Sequence, residues 1–182
     1  MIWLLPWKEE DTAKHTPWAV YTLIFLNIAV FIVMWKASAD GQNNWFDQYG
    51  LTPSHWHWYQ FITANFIHGD LLHLLGNMLF LWLIGDSVED ALGPMGFLLL
   101  YFLGGLAGDL WFVSANPETM IPSVGASGCI ATIAGACAVM FFSQPIAVRV
   151  MFVVFTLTTI RLKAFWMLLL WFGMDVFMTF EG

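Results

Sequence analysis

Charge is what this sequence has least of. Its 182 residues include 6 Lys or Arg and 13 Asp or Glu, so 10% are charged against 59% hydrophobic. A soluble domain carries roughly a quarter charged residues, so most of this chain's surface must face lipid. The few basic residues are too scattered to neutralise a run of phosphates, which excludes nucleic acid as a partner. Cysteine is equally scarce. Cys129 and Cys137 are the only two; eight residues apart in one apolar run, they stand about 12 Å apart in helical rise and cannot bridge. The segment Met1 to Pro17 has no basic, acid-free leader: Glu9, Glu10 and Asp11 accompany Lys8 and Lys14. The first apolar segment is therefore expected to stay as an anchor, in a bacterial-type cytoplasmic membrane rather than an organelle. His55 and His57 have no Cys or carboxylate cluster beside them, so no metal is expected.

What the chain does have is apolar runs of membrane length. Spanning the hydrocarbon takes about 20 residues, and the sequence predicts spans over 18–35, 71–85, 95–113, 124–142 and 164–180. The fold class is thus all-α, a polytopic transmembrane bundle in one domain. Ile146 to Ile160 is apolar but broken by Arg149; it is expected to lie in the interface or fold back on the bundle. The aromatic residues Trp45, Tyr49, Trp56, Trp58 and Tyr59 place the loop 37–60 at headgroup level.

Basic residues set the orientation. Lys8 and Lys14 precede the first span, and Arg149, Arg161 and Lys163 lie between the fourth and fifth. With five spans both places share one side, expected to be cytoplasmic. The outer ends of the second and fourth spans then sit at one depth, and each carries polar residues. His73 and Asn77 are four apart and point from one helical face. Ser127, framed by Gly125 and Gly128, opens the fourth span, where unpaired N–H groups and the helix dipole favour negative charge. A tetrahedral oxyanion is such a charge. Each feature also has a packing explanation. His73 and Asn77 suit an interhelical hydrogen bond, and Ser127, Ala131 and Gly135 form a stripe of small residues suited to close helix approach. Asp109 and Asp175 are acids within or near spans, where proton or ion sites occur; Asp175, near the outer end of the fifth span, reads as solvated by cavity water.

The motifs Phe66-Ile67-His68, His73-Leu74-Leu75-Gly76-Asn77-Met78 and Gly125-Ala126-Ser127-Gly128 occur in this order, with Gly85-Asp86-Ser87-Val88-Glu89 and Pro122-Ser123-Val124 between them. Together they resemble the rhomboid family of intramembrane serine proteases. The resemblance implies Ser127 as nucleophile, with Asn77, His73 and the Ser127 N–H holding the oxyanion. It implies His68 at the mouth of a cavity, Gly125 and Gly128 as close-approach positions, and Glu89 as a structural group. It also implies transmembrane protein substrates, a lipid bilayer around the bundle and no cofactor.

This sequence departs from the family pattern in three places. Trp58-Tyr59-Gln60 lacks the arginine of the family's first loop, and Ala91 stands where an arginine often follows Glu89. The family's general base is a histidine on a sixth helix; here no histidine follows His73. The expectation is five spans of a six-helix core, truncated before the base and inactive as it stands. A non-catalytic rhomboid-like protein that binds transmembrane clients is the alternative.

Overall fold

The computed structural model describes residues 2–7, 16–39, 45–141, 145–152 and 155–163, with Leu169 and Gly173; for the strands it describes the backbone only. Helix α1, Trp18–Ala39, has 22 residues and is about 33 Å long, enough to cross the hydrocarbon. Its first turn is capped from afar. The Ala19 and Val20 N–H groups donate to the two carboxylate oxygens of buried Glu89, at 3.0 and 2.9 Å. Both bonds are charge-assisted and lie at the positive end of the helix. Removing the carboxylate strands two buried donors, so Glu89→Ala should cost about 3 kcal/mol, read as a lower unfolding midpoint in detergent.

After α1 the chain runs through short helices, α2 (Trp45–Tyr49) and α3 (Gln60–Thr63), with 3₁₀ turns at Pro53–His55 and Ala64–Phe66. Asp70 then starts α4, Leu71–Ala115, its carboxylate accepting from the His73 N–H at 2.8 Å. This helix is broken at Gly93, whose φ of 71° is open to a residue without Cβ, and Pro94 follows immediately. A Cβ built on Gly85 would stand 3.6 Å from Phe97, so the two arms fold back on each other. Helix α5, Ser127–Met140, packs along the second arm, with Gly104 against Thr132 and Gly105 against Cys129.

The bundle is all-α, as composition implies, but its boundaries differ from the hydropathy reading. The second span continues past Gly85 because buried Val88 and Glu89 face the bundle and give the polar end a partner in α1. The fourth starts later than Val124, because Gly125 holds φ +112° and cannot be helical. The expected fifth span, 164–180, lies outside the described residues apart from Leu169 and Gly173.

The stretch expected in the interface or folded back on the bundle is extended: β2 (Pro145–Phe152) and β3 (Phe155–Lys163) pair antiparallel, and β1 (Ile2–Trp7) pairs antiparallel with β2. Val148, Val150, Thr156, Thr158, Thr159 and Ile160 are β-branched, which favours extended backbone over a surface helix. Arg149 is tolerated in register between Leu5 and Thr159. An open sheet cannot sit in hydrocarbon, so β1, β2 and β3 belong outside it.

The core runs through Val20, Leu23, Leu74, Leu81, Val88, Phe97, Tyr101, Ile130 and Ile133, all nearly inaccessible. Large apolar side chains also cover the outside: Phe25, Trp35, Leu103, Trp111 and Val139 are well exposed. That distribution suits a lipid solvent and not water.

Candidate active site

The site is assembled by the segment before α5 returning to the start of α4. Ser123 and Leu51 exchange backbone hydrogen bonds at 2.9 and 3.0 Å, and the Gly125 N–H donates to the Ala64 carbonyl at 2.9 Å. These bonds press the Gly125 backbone against α4. A Cβ at this position would lie 2.7 and 2.8 Å from the His73 ring atoms Cε1 and Nε2, and 3.5 Å from Asn77 Nδ2. Positive φ and this contact both exclude a larger residue. Gly125→Ala should therefore lower stability by about 1–3 kcal/mol and push α5 away from α4, measurable as a reduced midpoint with altered crosslinking between the two helices.

Two residues on, Ser127 opens α5, half-buried, behind an Ala126 that has no side chain to cap the helix. Asn77 sits one turn along α4 from His73. It is buried, and its Nδ2 has no hydrogen-bond partner among the described residues. A buried donor left without a partner costs about 1–3 kcal/mol, and such groups concentrate where a ligand is to be met. His73 is half-buried, and its ring meets that of His68 edge-on at 5.1 Å.

His68 is buried, and neither of its ring nitrogens is hydrogen-bonded among the described residues. Burial, and secondarily the nearby His73, lower its pKa from 6.5 to about 4, while Phe66 and Asp70 pull weakly the other way. The folded protein thus holds the ring neutral where the unfolded chain takes up a proton. The stability this contributes is complete above about pH 6.5 and is lost as pH falls through the window to about 4. Wild type should lose on the order of 3 kcal/mol more than His68→Phe between pH 7 and 4, measured as the difference of their unfolding midpoints.

The remaining sequence-derived positions divide. Among the described residues, nothing lies within 4 Å of a Cβ built on Gly128. Glu89 lies three turns beyond Asn77, at the start of α1, and serves the fold there. His55 pairs with the Ser54 hydroxyl at 2.9 Å and His57 stacks on Tyr59, so the two rings are engaged separately. In the departure from the first-loop pattern, buried Gln60 holds the loop instead: its Oε1 accepts from the His57 N–H at 2.8 Å, and its Nε2 donates to the Gln48 carbonyl at 3.3 Å. Asp175 is outside the described residues.

Sequence reasoning missed Asn65. Buried at the start of the Phe61–Gly85 run, it donates through Nδ2 to the Phe61 carbonyl at 2.9 Å and, more weakly, to Asp109 at 3.4 Å. A polar residue within an otherwise apolar run was the available signal.

Co-location of the Gly125 segment with His73 and Asn77 is the arrangement the ordered motifs require, and the sequence model of the Rhomboid domain matches residues 55–180. The chain belongs to the rhomboid family. It is similar to Rhomboid-like protein 11, chloroplastic, of Arabidopsis thaliana, with 30% identity over 125 residues, 68% of this chain and 43% of that protein. It is similar also to the putative rhomboid protease YdcA of Bacillus subtilis, 31% identical over 112 residues, 62% of this chain and 52% of the relative. Rhomboid protein 1, mitochondrial, of Saccharomyces cerevisiae is 30% identical over 133 residues, 70% of this chain and 38% of its own length. The chain spans about half or less of these relatives. Rhomboids are membrane proteins and include intramembrane serine proteases, and these relatives come from a bacterium, a chloroplast and a mitochondrion.

Proposed function

We propose that this rhomboid chain carries the nucleophile and the oxyanion-binding half of an intramembrane serine endopeptidase site acting on transmembrane substrates. The observation that supports it most is the buried Nδ2 of Asn77, without a partner among the described residues, beside the Gly125 backbone. A donor kept free at a protein interior suits a charge that exists only during reaction. Ser127 Oγ attacks the scissile carbonyl carbon, and the carbonyl oxygen becomes an oxyanion. Asn77 Nδ2, the Ser127 N–H and the His73 ring share that charge. Collapse expels the amine, which carries away the proton taken from Ser127, and water then hydrolyses the acyl-enzyme.

Proton removal needs a base. His73 is assigned to the oxyanion, and no histidine follows it among the 182 residues. Hydrolysis by these residues alone is expected at background. The orientation that fits the basic residues puts the N-terminus in the cytoplasm and Ser127 near the outer face of a bacterial-type cytoplasmic membrane.

Relatives named rhomboid-like support one second reading, a rhomboid-like protein that binds transmembrane clients without cutting them. Fluorophosphonate labelling of the protein as its gene encodes it separates the two. The protease reading predicts one adduct, mapped by peptide mass spectrometry to Ser127. Labelling that persists in Ser127→Ala, or none on the wild type, favours client binding.

A further inference from the structure

Ser127 is bracketed by two hydrogen bonds to one dipeptide. Two residues before it, the Gly125 N–H donates to the Ala64 carbonyl at 2.9 Å. Two residues after it, the Cys129 thiol donates to Asn65 Oδ1 at 3.2 Å. Ala64 and Asn65 are adjacent, in the 3₁₀ turn that precedes α4. The Asn65 amide is itself fixed from the other side, its Nδ2 shared between the Phe61 carbonyl at 2.9 Å and Asp109 Oδ2 at 3.4 Å. Asp109 stands on the second arm of α4 and Cys129 in the first turn of α5, so this chain of polar groups crosses three elements. It sits at a place where Gly105 approaches Cys129 closely. Neither the oxyanion assignment nor lipid packing requires any of these three polar side chains.

We infer that Asn65, oriented by Asp109, is a positioning residue: through Cys129 it fixes the first turn of α5 and so the place of the Ser127 hydroxyl. The physical argument is one of leverage. A backbone bond at Gly125 alone leaves a pivot at the helix start. A second bond at Cys129, one half-turn past the serine, removes the rotation that would swing Ser127 about that pivot. In low dielectric such bonds are strengthened and a donor released from one finds no water to replace it. Shifts of about 1 Å at a reacting group are enough to cost a hundredfold in rate, so a clasp of this kind matters even where its contribution to folding is small. The inference rests on Ser127 as the reacting group, and its test does not.

The test places a thiol at the serine position, Ser127→Cys, and follows its alkylation by iodoacetamide in detergent at a temperature well below unfolding. Adding Asn65→Leu should raise the alkylation rate about fivefold or more, as loss of the bond to Cys129 implies. Cys129→Ala should act in the same direction, and Cys129→Ser, which keeps a donor for Asn65 Oδ1, should restore the slow rate. Rescue by serine is not expected from a role in packing alone, where alanine and serine are near equivalents. Rates within twofold of the parent in both Asn65→Leu and Cys129→Ala would overturn the clasp. If Asn65→Leu does not fold, the Cys129 pair decides alone. Fluorophosphonate labelling bears on Ser127 as nucleophile independently, so failure of that assignment and failure of the clasp give different results.

Discussion

Ser127→Ala should abolish cleavage of a transmembrane substrate by the protein as its gene encodes it, with a loss of about 10⁴–10⁶ in kcat. The size follows from chemistry: alanine has no atom to form the acyl-enzyme, and the oxyanion donors alone leave only residual catalysis. The substitution should leave folding nearly unchanged, because Ser127 is half-buried at the start of α5 and does not cap that helix. A fluorogenic substrate in proteoliposomes reads the rate, and thermal unfolding in detergent reads the fold. Cleavage by Ser127→Ala at the wild-type rate excludes Ser127 as the nucleophile. Loss of cleavage together with loss of the folded state gives Ser127 a structural role instead.

Much of the helical scaffold was legible because lipid imposes a length on each span, and apolar runs show that length directly. The contact between Gly125 and the His73 ring brings the two polar segments together. What hydropathy could not show is where polar residues belong to a helix. The helix carrying Asn77 runs on through Asp86 to Gly93 because Glu89 has a partner in the α1 N-terminus, a pairing 70 residues apart in sequence. The β1–β2 pairing was hidden for the same reason: strands at opposite ends of the described chain give no local sign of each other. Apolar β-branched residues also read alike in a strand and in an interfacial segment. Asn65 escaped notice because its partners, Asp109 and Cys129, come from two other elements, and each has an ordinary explanation by itself.

The Asn77 Nδ2, which has no partner among the described residues, carries the account, and it makes an unusual joint prediction. A buried donor with no partner weakens the fold, so replacing it with an apolar group of similar size should be neutral or stabilising. If the same donor meets the oxyanion, its loss should cost about 10²–10³ in kcat. KM should change little, since the interaction is made only when charge develops. A residue kept for packing would show the reverse: lower stability and unaltered turnover. The direct measurement is therefore Asn77→Leu in the protein as its gene encodes it, with kcat and the unfolding midpoint determined on the same preparation. The account predicts a midpoint equal to or above wild type with kcat reduced at least a hundredfold. A lowered midpoint with kcat undiminished would contradict it.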